Sequence, residues 1–273
     1  MARLGAISVR GASKIYNPDE AAILALDNCS MEIAPGEFSV LVGPSGCGKT
    51  TLLNVIAGFH DLTGGEVLLD NEILSAPGQP AKPGADRIVV FQNGALFPWM
   101  TILQNVTFGP LAQGRLNQSE AEKEALEMLE TMGLSGIAAD YPGQVSSGMR
   151  RRAEIARAMM NRPKVLLLDE PFRAMDALTK TVAHQFLLEV YDRTGPTVFF
   201  ITHDLDEAIF LASKVYIMTT RPAAIKKVLE VDLPRPRNYK LLASSQYQKL
   251  RAECQTAVRE EALKAFTAGE REM

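Results

Sequence analysis

Residues 38–57 read FSVLVGPSGCGKTTLLNVIA, and this stretch decides the fold. Phe38 to Val42 is a mostly apolar run of the kind that forms a strand buried on both faces, and the run after Lys49 has helical character. Between them Gly43 to Thr50, GPSGCGKT, matches GxxxxGK[ST], a pattern that is informative only between a strand and a helix; both flanks are present. Glycine lets the chain turn so tightly that successive N–H groups point inward at phosphate oxygens, and the following helix adds the positive end of its dipole. Gly43, Pro44, Ser45, Gly46, Cys47, Gly48, Lys49, Thr50 and Thr51 are therefore expected to cradle nucleotide phosphates. Lys49 would reach the β- and γ-phosphates, and Thr50 would offer its hydroxyl to Mg2+. A glycine-rich turn that binds nothing is the plain alternative for the bare pattern, and the flanks weigh against it. Cys47 reads as a small side chain on a backbone cradle, not as a nucleophile.

Outward from this loop, strand-like runs recur at Ala6 to Val9, Glu66 to Leu69, Arg87 to Phe91, Val165 to Leu168, Thr197 to Thr202 and Val215 to Met218. Helical patterns separate the later ones. In Glu120 to Met132, residues Ala121, Ala125, Met128, Leu129 and Met132 share one face. The alternation predicts an α/β fold. Residues 97–163 hold no convincing strand although strands flank them, and read as an inserted helical subdomain. After Arg221 a closing strand and a proline-punctuated exit are expected. A helical tail follows over 238–273, with Tyr247, Leu250, Cys254 and Val258 on one face, which leaves 1–237 as the main domain.

Composition agrees with a protein that folds in water. Of 273 residues, 47% are hydrophobic and 22% charged, and the formal net charge of -3 speaks against nucleic acid as a partner. Cys29, Cys47 and Cys254 are widely spaced, without a CxxC pair or a histidine cluster, and are expected to be reduced thiols rather than metal ligands. The N-terminal residues lack an apolar signal-peptide core, and no apolar run approaches the roughly 20 residues of a spanning helix, so a cytoplasmic chain is expected.

Val165 to Pro171, VLLLDEP, delivers Asp169 and Glu170 at the C-terminal end of a strand, where open α/β sheets bind ligands. Asp169 can hold Mg2+ and Glu170 can polarise a water for attack on a γ-phosphate. With these two motifs in place, the chain resembles the ABC ATPases over nearly its whole length. The family's Q-loop resembles Val90-Phe91-Gln92, its signature Ser146-Ser147-Gly148-Met149, its D-loop Phe172 to Asp176 and its switch histidine His203, while Tyr16 matches the aromatic that stacks on adenine. The resemblance implies a P-loop NTPase of ABC type, with a mixed sheet core and an inserted helical subdomain, that uses ATP and Mg2+. Glu170, His203 and Lys49 would be catalytic, and Thr50, Gln92 and Asp169 would face the metal. Ser146, Ser147, Gly148 and Asp176 would complete the ATP site of a second copy in a head-to-tail homodimer. Integral membrane permease subunits and an extracytoplasmic solute-binding protein are the implied partners, with this chain peripheral on the cytoplasmic face of the membrane.

LFPWMTILQNVT (96–107), RPAAI and VDLPRPR are similar to the nitrate, sulfonate and taurine importer branch. Phe97, Trp99 and Met100 are candidates for the surface that receives the permease, with packing inside the helical subdomain as the alternative. Two positions depart from the family pattern: Ser147 stands where a glycine is usual, and Arg173 where a small residue is common. If residue 147 requires a positive φ, its serine is strained. A soluble ABC ATPase would be expected to show coiled arms or a second ATPase unit, and neither is visible. A P-loop kinase would not account for the signature and switch-histidine segments.

Overall fold

The computed structural model describes residues 4–17, 21–173 and 175–267. Ala174 of the expected D-loop and residues 268–273 of the expected tail lie outside them. The first elements are β1 (Ile7–Tyr16), β2 (Ile23–Ile33), β3 (Phe38–Val42), helix α1 (Lys49–Ala57), β4 (Gly64–Leu69) and β5 (Glu72–Ser75). Next come β6 (Arg87–Val90), α2 (Ile102–Ala112), α3 (Gln118–Thr131), α4 (Ser147–Met160), β7 (Val165–Asp169) and α5 (Ala177–Thr194). The remaining elements are β8 (Thr197–Ile201), α6 (Leu205–Leu211), β9 (Lys214–Met218), β10 (Ile225–Glu230) and α7 (Ser245–Thr267). They form two compact units, one of Met1–Gly84 with Thr197–Met273, the other of Ala85–Pro196.

In the first unit β3 lies parallel between β8 and β9, and β10 joins β9 antiparallel. Every residue of β3 and β8 is buried, which is why both read in sequence as mostly apolar runs. Val40 faces Phe200 in one neighbour and Val215 in the other, so the strand that feeds the glycine loop is fixed on both sides. Each such buried side chain contributes about 1.5–3 kcal/mol. A second, antiparallel sheet has the order β2-β1-β4-β5. Here the sequence was less readable. Strand β1 runs past Val9 to Tyr16, and β2 and β5 were not expected at all. The β1–β2 register shifts three times between Val9 and Ile15, with Gly11 and Asn28 at positive φ. A bulge sets two residues against one and breaks the period of two on which strand recognition depends. Strands β4 and β5 turn through Asp70 and Asn71, both at positive φ, the conformation of a tight hairpin.

In the second unit β6 and β7 pair in parallel, Ile88 against Leu166 and Val89 against Leu167. Its helices begin at the caps their sequences provide. Thr101 with Gln104 and Asn117 with Glu120 form capping boxes, while Ser146 and Asp176 cap α4 and α5. Ala121, Ala125, Leu129 and Met132 are buried as their spacing predicts. No strand interrupts 97–163.

Helix α7 buries Tyr247, Cys254 and Ala257, and beyond them a charged residue, Glu261. Burial works against the charge of Glu261, but Lys226 Nζ (2.8 Å), Lys264 Nζ (2.7 Å) and the N–H of Thr220 (3.2 Å) overcome it and hold the carboxyl at about 2, below the usual 4.5. Because the folded value is the lower one, this anchor is fully present above pH 4.5 and is lost as the pH falls toward 2. Hydrogen-exchange protection of α7 should therefore fall in that window before that of β3 and β8, and Glu261→Gln should abolish the difference. Simultaneous loss in the unaltered protein would remove Glu261 from this role.

Candidate functional site

Gly46 (φ 72°) and Gly48 (φ 122°) turn the loop between β3 and α1 through conformations that L side chains rarely adopt. Gly48 is also crowded, since a Cβ there would lie 3.0 Å from Ala223 Cβ and 3.0 Å from the Ala25 carbonyl oxygen. Lys49 is 7% exposed, and its Nζ donates to the carbonyls of Gly43 (2.9 Å) and Pro44 (2.8 Å). The ammonium is thus folded into the loop and makes it positive. Gly48 caps α1 without a side chain, so no side-chain cap is made to the N–H groups of the first turn. Cys47 is buried and its thiol is pushed up by that burial, against the pull of Lys49, which leaves it a packing residue.

Two further predicted residues lie in the same unit. Tyr16, at the end of β1, donates from its hydroxyl to Thr51 Oγ1 (3.4 Å), so the aromatic is beside the helix that follows the loop. Its ring meets His60 edge-on at 5.8 Å, and Lys14 Nζ lies 5.2 Å from the ring centroid. His203 is exposed between β8 and α6. That junction is rigid: buried Thr202 donates to the Glu207 carboxylate and accepts from Asp204 N–H (3.0 Å), and Asp204 caps α6. Thr202 and Glu207 were not singled out in the sequence, because a hydroxyl and a carboxylate five positions apart have no pattern until a strand turns into a helix between them.

The second unit holds the other predicted residues. Asp169 ends β7 and is buried. Glu170 follows at φ 42°, a conformation costing about 1–3 kcal/mol that persists only where the surroundings impose it. Gln92 Nε2 donates to Glu170 Oε2 (3.4 Å), and Arg173 NH1 pairs with the same oxygen at 3.5 Å. Arg151, on α4, donates to the carbonyls of Phe91 (2.6 Å) and Gln92 and fixes the backbone of the expected Q-loop, a role the sequence does not announce. Gln92, Arg151, Glu170 and Arg173, with Ser147 and Arg150, are among the residues lining a cleft of about 600 Å3.

Ser146 accepts from Met149 N–H (3.2 Å) as the N-cap of α4, and Ser147 is the first residue of the helix. Residue 147 is not among those at positive φ, so the strain considered for its serine does not arise. The glycine that matters is Gly148, where a Cβ would stand 2.7 Å from Thr179 Cγ2. Asp176 caps α5 by accepting from Leu178 N–H (3.1 Å) and Thr179 N–H (3.0 Å). Hydrogen bonding, first from the Thr179 side chain, holds its carboxyl below the usual range. Asn105 also escaped the sequence reading. It is fully buried, accepts from Phe97 N–H (2.8 Å) and donates to the carbonyls of Phe97 (3.1 Å), Met100 (3.2 Å) and Thr101 (3.0 Å), shaping the 97–101 loop from within.

A glycine-turned loop between a buried parallel strand and a helix N-terminus, with its lysine folded inward, defines a P-loop nucleotide-binding protein. The chain belongs to the ABC transporter family, whose model matches residues 26–173, and it is an ATPase of that family. It is 38% identical over 93% of its length to a nitrate import ATP-binding protein of Synechocystis, covering 95% of that protein. It is 37% identical over 90% of its length to an aliphatic sulfonates import ATP-binding protein of Bacillus cereus, covering 92% of it. Among solved structures, a dimeric ATP-binding cassette in a post-hydrolysis state, bound to ADP and Pi, matches with a TM-score of 0.72 and 30% identity, over 84% of this chain and 100% of that one.

The crowding at Gly148 makes Gly148→Ala costly, by about 1–3 kcal/mol as for other overpacked sites. Denaturant unfolding measures this, and a loss well under that range would mean that Thr179 moves aside.

Proposed function

We propose that this chain is the ATP-hydrolysing subunit of an importer for a small solute of the nitrate, sulfonate or taurine kind. It works as a homodimer, peripheral on the cytoplasmic face of the membrane, beneath separate permease subunits supplied by an extracytoplasmic solute-binding protein. The nitrate and sulfonate import relatives support the branch, and the observation that carries the ATPase site is the inward-folded, buried Lys49 within a loop of positive-φ glycines.

In this reading the loop N–H groups and Lys49 hold the phosphates of ATP, exchanging the Gly43 and Pro44 carbonyls for phosphate oxygens, and Tyr16 stacks on adenine. The oxygens of Thr50, Gln92 and Asp169 are hard donors of the type Mg2+ takes, and bound Mg2+ would neutralise charge on the triphosphate. Glu170 accepts a proton from the attacking water, and His203 hydrogen-bonds the γ-phosphate. Ser146, Ser147, Gly148 and Asp176 serve the ATP of the second copy, since a chain with one phosphate loop and one signature needs a partner to complete two sites. Gln92 and Arg173 hold Glu170 between turnovers and tune its rate.

Residues 97–163 act as the helical subdomain of a nucleotide-binding domain spanning 1–237, with 238–273 as its tail. The permease docks at the 97–101 loop. Trp99 is 69% exposed and stacked on Phe97 at 5.5 Å, and Trp99, Met100, Gln104 and Phe108 are among the residues lining a cleft of about 510 Å3. Aromatic and methionine side chains of this kind form adaptable contact surfaces. No described helix is long and apolar enough to cross a membrane.

Glu170→Gln should lower turnover by about 10^2 to 10^4 fold while ATP binding persists. Single-turnover hydrolysis and a nucleotide-binding titration measure the two separately, and a near-normal rate would take the base role from Glu170. Co-purification from detergent-solubilised membranes should recover a multi-span partner; reproducible recovery of the dimer alone would overturn the transporter assignment.

A further inference from the structure

The outer side of the phosphate loop is clasped by a turn far along the chain. Thr219 closes that turn on itself: its N–H donates to the Ala224 carbonyl (2.9 Å), and its Oγ1 donates to the Pro222 carbonyl (3.1 Å) and accepts from Ala224 N–H (2.9 Å). Arg221, at the tip, donates from NH2 to the Gly46 carbonyl (2.8 Å). Ala223 packs where any side chain on Gly48 would have to go, and it is tied to β2 through Ala223 N–H to the Ala25 carbonyl (3.1 Å) and Asp27 N–H to the Ala223 carbonyl (3.0 Å). Both positive-φ glycines of the loop are therefore in contact with one turn.

That turn is held in place by helix α7. The Glu261 carboxylate accepts from Thr220 N–H, one residue before Arg221, at 3.2 Å. The same carboxylate is 1% exposed and paired with Lys226, which also donates to the Ala257 carbonyl (3.3 Å) and pairs with Glu260 (2.6 Å). Lys227 pairs with Glu253 at 2.7 Å. At its other end α7 reaches the segment behind His203: Tyr247 donates its hydroxyl to Asp206 Oδ1 (3.1 Å), and Arg251 Nε donates to the same oxygen (2.7 Å). A buried carboxylate that spends one of its oxygens on a backbone N–H in another segment fixes that segment, because an unpaired charge there would be costly.

We propose that Glu261 and Arg221 are positioning residues for ATP binding, with α7 bracing the 219–224 turn so that Arg221 holds the Gly46 peptide and the loop N–H groups stay aimed at the phosphates. Arg221 contacts a carbonyl, not the nucleotide. It acts by fixing the peptide between Gly46 and Cys47, whose N–H donates to the Pro44 carbonyl (3.4 Å), and with it the turn of the loop. This gives the C-terminal helix a function in the nucleotide cycle and rests on the loop being the ATP site proposed above.

The test is steady-state ATP hydrolysis and MgATP binding by the full chain, with kcat and KM determined separately. Arg221→Ala and Glu261→Gln should each raise KM for ATP and the dissociation constant about tenfold, as expected for loss of one charge-assisted hydrogen bond, with kcat at saturating ATP within about twofold. The double variant should be no worse than the poorer single one, because both changes release the same peptide. Arg221→Lys should recover part of the affinity. Lys264→Ala, which removes only the exposed partner of Glu261, should leave KM unchanged. Unaltered KM in folded Arg221→Ala, which removes an exposed side chain, would overturn the proposal even if Glu261→Gln fails to fold. So would additive effects in the double variant. Absence of ATP binding by the unaltered chain would instead refute the assignment of the loop as an ATP site.

Discussion

The constraint on which the molecule depends is the backbone conformation of the loop from Gly43 to Lys49. A phosphate cradle made of peptide N–H groups works only if those groups are already pointing inward, since ordering them at the moment of binding would cost about 1–2 kcal/mol of entropy per residue. Gly46 and Gly48 make the conformation accessible. They do not make it obligatory, because glycine visits many conformations in a free chain. What fixes the loop is its setting: β3 held between β8 and β9 on one side, α1 beginning without a break on the other, and the 219–224 turn against both glycines from outside.

Charge is managed by the same economy of backbone groups. Lys49 is nearly buried and satisfies its ammonium on two neutral loop carbonyls rather than on a carboxylate. In the second unit Arg151 likewise gives its guanidinium to the carbonyls of Phe91 and Gln92, as well as to Glu154, so that the Q-loop is held by its main chain and the Gln92 side chain is available to reach Glu170. Glu170 itself stands in a left-handed conformation unusual for a side chain of its size. Such strain is kept where the position of a carboxylate matters more than its comfort. The long pair with the exposed Arg173 shares the oxygen that Gln92 contacts and so bears on where that carboxylate points.

The parts of this protein that the sequence determined by itself are those in which local chemistry and local geometry coincide. The octet Gly43 to Thr50, the apolar strands β3, β7 and β8, the caps at Asn117 and Ser146, and the apolar face of α3 are each written within a few neighbouring residues, where helix and strand periods can be read directly. Tertiary structure alone decided the rest. The bulged pairing of β1 with β2 breaks its own period, and the buried Asn105 and Glu261 look in sequence like any polar residues on a helix. The hold of Arg221 on Gly46 joins positions 175 residues apart. A buried polar group earns its place through partners that are distant along the chain, and no local pattern records those partners until the fold has brought them within hydrogen-bond distance.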